Sequence, residues 1–153
     1  TEGDDITFVG IPSFAPEILR RVRLEDGIRA KRLREALAEM AEEGVVQLFS
    51  PLDGSPPIVG VIGALQLDVL ADRLNNEYGL AAGFEAAPSE TLRWIVADDP
   101  REIDKFVARH RASVAVDLAG DHVYMAPSPF YLDLAIERNP AIKFVDMKTS
   151  AAR

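Results

Sequence analysis

The sequence contains no cysteine, which excludes disulfides and thiolate metal sites and fits a reducing, cytosolic origin. Histidine is nearly as scarce. His110 and His122 are the two present, and neither belongs to an H-E-x-x-H pair that would hold a metal on one helix face. Aromatic residues make up 7% of the chain, with Trp94 the single tryptophan. No aromatic stands two positions from it, so Trp94 is expected in the core and not on a base-stacking platform. No apolar run approaches the ~20 residues needed to span a bilayer, and no charged and apolar secretory leader is visible. Neither G-x-x-x-x-G-K-[ST] nor G-x-G-x-x-G occurs, so no loop with a nucleotide-phosphate signature is encoded. The G-x-S-x-G elbow of a serine nucleophile is missing as well. These absences leave no local basis for catalysis.

What is there has globular composition, 48% hydrophobic and 27% charged over 153 residues. That length suits one ordinary domain or two small, closely packed ones. The chain begins at Thr1 and not Met, which leads to the expectation that it is part of something larger. Formal net charge is −8, which by itself disfavours nucleic acid as a partner. The distribution is uneven, however. Arg20, Arg21, Arg23, Arg29, Lys31, Arg32 and Arg34 are opposed within their segment by Glu25 and Asp26, so seven cations against two acids leave a local charge of +5. Such asymmetry marks either a solvated face or a contact face for RNA or an acidic protein.

Hydrophobic periodicity divides the chain. Ile6–Val9 reads as a short strand broken by Gly10-Ile11-Pro12, and Ile18–Leu24 as a second strand. Asp26–Glu43 is helical, with Leu33, Ala36, Leu37 and Met40 recurring at three and four, and Gly44 stops it. Val45–Phe49 and Ile58–Ile62 are strands. Leu65–Tyr78 is a helix striped by Leu67, Leu70, Ala71, Leu74 and Tyr78, with Gly79 as its stop. Ala82–Ala86 closes a β-α-β-β-α-β series, the ferredoxin-like order. The series then repeats. Leu92–Ala97 is a strand, and Asp99-Pro100-Arg101-Glu102 opens a helix as a capping box whose buried side is Ile103, Phe106 and Val107. Val114–Leu118 and His122–Ala126 form a hairpin. Ser128-Pro129 starts a helix with Leu132, Ala135 and Ile136 on one side, Asn139-Pro140 ends it, and Ile142–Val145 is a closing strand. The expected fold class is therefore α+β, two consecutive ferredoxin-like βαββαβ units. The expected division is 12–88 and 89–147 as the two units, with 148–153 as a tail.

Two local features invite a chemical reading. Gly60-Val61-Ile62-Gly63 leads from a strand into a helix, where amides can attract a phosphate, although glycines at this spacing also serve tight packing. Asp4-Asp5, Asp98-Asp99 and the Asp117/Asp121 pair lie at element ends, where carboxylates cap helices and solubilise turns more often than they do acid–base work. His110 closes a helix, a place that favours partial positive charge.

A run of motifs in order then resembles a known family. Gly10-Ile11-Pro12-Ser13-Phe14-Ala15-Pro16-Glu17 looks like an interdomain junction of bacterial peptide chain release factor 3. Glu42-Glu43-Gly44-Val45-Val46-Gln47-Leu48-Phe49-Ser50-Pro51 is similar to that family's E-E-G-[AV]-V-Q-x-F-x-P block. Val59-Gly60-Val61-Ile62-Gly63-Ala64-Leu65-Gln66-Leu67-Asp68-Val69, followed by Arg73-Leu74 and Glu77-Tyr78, resembles its V-G-x-x-G-x-L-Q-F-[DE]-V block, with Leu67 where Phe is usual. Arg93-Trp94 and Leu134-Ala135-x-Glu137-Arg138-x-Pro140 also fit. The resemblance implies the C-terminal, third domain of a translational GTPase of the elongation factor G-like group. The first unit would be like the elongation factor G third domain, and residues 1–11 would be the end of a β-barrel domain.

It further implies a cytoplasmic protein that promotes departure of class I release factors from the ribosome. No cofactor is expected in this segment; GTP or GDP with Mg would bind a missing N-terminal domain. Expected partners are the ribosome, through ribosomal RNA and proteins, and the parent's own GTPase and β-barrel domains, with no membrane and a monomeric state. Arg20, Arg21, Arg23, Lys31, Arg32 and Arg34 are the candidate contacts, chosen from charge pattern alone. Two alternatives stay open: a stand-alone ferredoxin-like module binding a small molecule at the Gly60/Gly63 turn, and the corresponding domain of another translational GTPase.

Overall fold

The computed structural model describes residues 12–24 and 27–149. A three-residue strand, β1 (Pro12–Phe14), leads into β2 (Ile18–Leu24). In β2 the period-two alternation sends Val22 to one face of the sheet and Leu19 to the other. A 3-10 turn at Gly27–Arg29 precedes α1 (Ala30–Glu42), which buries Leu33, Ala36, Leu37 and Met40. Hairpin strands β3 (Gln47–Pro51) and β4 (Ile58–Val61) follow, then α2 (Leu65–Tyr78) and β5 (Ala82–Ala86). Gly79 ends α2 at φ 67°, donating its amide to Asn75 while Leu80 donates to Leu74. That left-handed conformation would bring any Cβ into a backbone clash, and glycine, which has none, adopts it freely.

The second series runs β6 (Thr91–Val96), α3 (Pro100–Arg109), β7 (Val114–Asp117), β8 (His122–Ala126), α4 (Pro129–Arg138) and β9 (Lys143–Val145). A last strand, β10 (Met147–Thr149), pairs with β1. The other strands form one eight-stranded sheet in the order β5-β2-β4-β3-β7-β8-β6-β9, antiparallel at every neighbour. Each half has the ferredoxin-like order, and the second strands of the two halves, β3 and β7, join them. The fold is thus α+β, with four α-helices among the described residues.

Register determines where the layers lie. Phe49 faces Asp117 and Ser50 faces Val116 across the joint, and residues directly opposite share a face. Leu48 packs under α1 and α2, and Val114 packs in the core beneath α3 and α4. Both helix pairs therefore cover the same face. The other face carries Leu19, Phe49, Ile58, Leu92, Trp94, Ala115, Val123 and Met125, none more than 6% exposed. No helix of the described residues lies there. Its cover includes Ala15, Ala87 and Val145, the adjoining Pro16 against Gly60, and the β1–β10 ribbon, from which Lys148 reaches across Trp94.

Several expectations shift in detail. Helix α2 and strand β5 coincide with the periodicity, whereas β3 starts at Gln47 and not Val45. The reason is local: Gly44 sits at φ 86°, and Val45 donates to Met40, extending the closure of α1. Pro12, read as part of a break, opens β1, and Lys148 and Thr149, read as tail, belong to β10. Ile136, expected on the buried side of α4, is 45% exposed, while Leu132 and Ala135 are buried. The Ile6–Val9 strand and the preceding-domain remnant lie outside the described residues.

Gly60 gives this packing a sharp test. A Cβ built there would stand 2.7 Å from Pro16 Cβ, closer still to Pro16 Cγ, and 3.3 Å from the Phe49 ring. Gly60→Ala should destabilise the chain by about 1–3 kcal/mol through overpacking, read as a lower denaturant midpoint at unchanged m-value. Gly63→Ala, where nothing lies within 4 Å, should cost far less. Equal effects would contradict the close approach.

Candidate functional site

The cations between Arg20 and Arg34 do not form one cluster. Alternation along β2 puts Arg21 and Arg23 on the helix-free face, Arg21 opposite Glu85 of β5 and Arg23 opposite Gly83. Arg23 lies 3.1 Å from the Glu85 carboxylate and Arg21 4.0 Å from it. Arg20 is on the helix-side face, its guanidinium donating to the Leu19 carbonyl at 2.9 Å. Arg29 donates to the Gly79 carbonyl at 2.8 Å and so holds the end of α2. Lys31, Arg32 and Arg34 are exposed on the first half of α1, and Arg32 stands over the Tyr78 ring at 5.4 Å. Lys31 and Arg34 have no ion pair among the described residues.

The first turn of α1 contains no acid, and its N-terminal residue, Arg29, makes no side-chain cap. Cations at this end oppose the helix dipole by a few tenths of a kcal/mol each. Towards the other end the charge reverses. Glu39 accepts from the Tyr78 hydroxyl at 2.9 Å, and Glu43 shares Arg73 with Glu77, both at 2.8 Å. Hydrogen bonds from Arg73 hold Glu43 and Glu77 below the usual carboxylate range, and Arg73 stays charged throughout. Helix α1 is therefore basic and mostly unpaired at its start, acidic and paired at its end.

The Gly60/Gly63 turn is closed to phosphate by its own neighbour. The Gln66 side chain accepts from the amides of Ile62 at 2.8 Å and Gly63 at 3.4 Å. Those donors would be the ones to meet an anion, and Gly60 is taken up by Pro16.

The acidic pairs resolve into structural roles. Asp99 caps α3 by accepting from the Arg101 amide, and Pro100 is the first helical residue. The reciprocal half of the expected capping box does not form, because Glu102 lies 3.5 Å from Lys105 instead. Asp117 accepts from the Trp94 indole at 3.1 Å and from the Asp121 amide at 2.9 Å. Lys148 from β10 hydrogen-bonds both Asp117 and Asp121. Lys148 was invisible as a partner because no local pattern links it to residues some thirty positions earlier. Asp4-Asp5 lie outside the described residues. His110 stacks on Phe106 at 4.4 Å; burial and then the Arg109 charge push its pKa down, so the expected positive helix end is disfavoured. Among the described residues no His, Asp and Glu side chains converge as a metal site, and no helix is long and apolar enough to cross a membrane.

The comparison with known families decides among the alternatives. A family model described as class II release factor RF3, C-terminal domain, matches residues 8–136 of the 153. The chain belongs to that family. As a release factor 3 C-terminal domain it is non-catalytic and its setting is translation termination. The match covers the first ferredoxin-like unit and the second as far as α4, ending before β9.

The Asp117 clasp makes a prediction in acid. Burial pushes the Asp117 carboxyl up, but hydrogen bonds from Lys148, the Asp121 amide and Trp94 together outweigh it, and its pKa lies below the usual value. A depressed carboxylate contributes stability above its unfolded pKa of about 3.9, and loses it as pH falls through the lower folded value. The stability gap between the parent chain and Asp117→Asn should therefore be full at neutral pH and shrink below about pH 4. A gap constant from neutral pH down to acid unfolding, in pH-dependent denaturant titrations, would remove this role. Lys148→Ala should cost about 1–3 kcal/mol at neutral pH by leaving the half-buried carboxylate short of its partner.

Proposed function

We propose that this chain is the part of a bacterial peptide chain release factor 3 that positions the factor on the ribosome, with Lys31, Arg32 and Arg34 on α1 as its contacts to RNA phosphates. In this reading the parent polypeptide binds GTP or GDP with Mg through a P-loop domain. It acts in the cytoplasm as a monomer and uses the nucleotide cycle to promote departure of class I release factors. The present domain supplies binding and orientation and no catalysis.

The observation that carries the RNA reading is the placement of charge on α1. Three exposed cations crowd the helix end where they are least welcome electrostatically, and two of them have no carboxylate partner within the described fold. A phosphate backbone supplies what that surface lacks, and releasing its counterions contributes favourably to binding. Arg20, Arg21 and Arg23 take a lesser part, since Arg20 is turned onto its own backbone and Glu85 already offsets the other two. The Gly60/Gly63 small-molecule alternative loses its basis with the amides satisfied by Gln66.

Charge reversal at Lys31, Arg32 and Arg34 in the full-length factor should weaken ribosome binding by at least about tenfold. It should also reduce the slope of log affinity against log salt by roughly 0.7–0.9 per lost phosphate contact. Reversal of Arg23 should do much less. Equal affinity and an unchanged salt slope for the triple variant would reject α1 as the contact.

A further inference from the structure

An open groove of about 960 Å³ lies where the β1–β10 ribbon meets the start of β3 and the end of β4. Phe49 and Trp94, at 0% and 2% exposure, form its floor. Three large apolar side chains in its walls are exposed: Phe14 of β1, Ile62 after β4 and Leu118 after β7, at 59%, 71% and 47%. Met147, directly opposite Phe14 on β10, is exposed too, as is Leu65, three residues after Ile62. An apolar side chain exposed singly is ordinary, whereas several gathered about one concavity mark a surface that is covered by something.

The charges around the groove narrow what covers it. Glu17 lines it, Asp146 adjoins Met147, and Glu42 stands between the lining residues Ala41 and Gly44. All three are exposed, and none has an ion pair among the described residues. Lys148 is the cation in the wall, and Asp117 and Asp121 already hold it. Five carboxylates therefore face one ammonium. Such a border repels a nucleic acid or an acidic protein. A second copy, docking by the same patch, would set these carboxylates against themselves. A cationic protein segment with large apolar side chains meets complementary chemistry at both the centre and the rim.

We propose that this groove docks a basic protein segment with aliphatic or aromatic anchors. The anchors fill the space between Phe14, Ile62 and Leu118, and flanking Lys or Arg side chains meet Glu17, Glu42 and Asp146. The surface is separate from the basic one on α1. Lys31, Arg32 and Arg34 occupy the first half of that helix, whereas Ala41, near its other end, lines the groove. The two lie roughly 10–15 Å apart along the axis, so one helix can hold an RNA strand and a basic protein side by side. The groove does not depend on the RNA contact, and its test uses no ribosomes.

The probe is a peptide of about five helical turns made of Lys, Leu and Phe, with its apolar residues on one face. It is titrated against the 153-residue chain beside a version with Glu for Lys, a version with Ser for Leu and Phe, and poly-uridine. Trp94 is the single tryptophan and part of the floor, so its emission reports binding, and amide chemical shifts locate it. Saturable binding of the Lys/Leu/Phe peptide is expected, at least about tenfold tighter than any control. The double variant Ile62→Ser, Leu118→Ser, at exposed positions, should keep the fold and weaken binding at least about tenfold. Glu17→Lys with Asp146→Lys should weaken it and flatten its salt dependence. Phe130→Ser, at an exposed aromatic outside the groove, should change nothing. No saturable binding, equal binding of any control, or indifference to the groove variants would overturn the proposal. Binding that vanishes in the full-length factor would give the groove to the parent's own domains. A dimer in sedimentation that Ile62→Ser disperses would give it to a second copy. Either of these results would overturn the basic partner as well.

Discussion

Antiparallel pairing of β3 with β7 is the constraint from which the rest of the architecture follows. A ferredoxin-like sheet has its second and fourth strands at the edges, and an unpaired edge presents a row of open backbone donors and acceptors. Joining the two second strands removes an edge from each unit. The register of that joint, Phe49 to Asp117, places all four helices on one side. The same register aligns the helix-free faces into one continuous apolar surface, too large to be left in water. A cover is then obligatory, and among the described residues the β1–β10 ribbon and the segment after β1 supply it. Asp117 lies at this joint and on this face, which is why one carboxylate can tie β7, β6 and β10 together through its contacts to Trp94 and Lys148.

How far the sequence reveals this depends on the range of the interaction involved. Helix α2 and strand β5 are readable to the residue, because the apolar stripe, the Gly79 stop and the alternating strand are local signals. The order of elements in both units is readable for the same reason. The β1–β10 ribbon is not. Each strand has three residues, too few for a periodic pattern, and its partner lies at the other end of the chain. The joint between units is equally silent, since β3 and β7 read as ordinary hairpin strands until their outer edges meet. Ile136 shows the limit of spacing arguments: three apolar residues on one side of α4 do not say how much of that side the sheet covers.

The candidate site was legible as charge and illegible as geometry. Seven cations in a short segment stand out in any reading, yet strand alternation sends Arg21 and Arg23 to one side of the sheet while α1 lies on the other. The Gly60/Gly63 turn is the converse case. Its glycines suggest an open anion cradle, and the residue that fills it, Gln66, looks like an ordinary helix position from sequence. Buried donors without partners, such as Ser89 and Arg21 Nε, carry no sequence signal at all, because only the assembled walls make them unsatisfied.

The β1–β10 ribbon sets how the domain is hung. Pro12 pairs with Thr149 and Phe14 with Met147, so the chain enters and leaves the fold side by side. A pull between those ends therefore acts on the ribbon as on a zipper, opening its pairs one after another, whereas the eight-stranded sheet behind it is spared until Lys148 lets go.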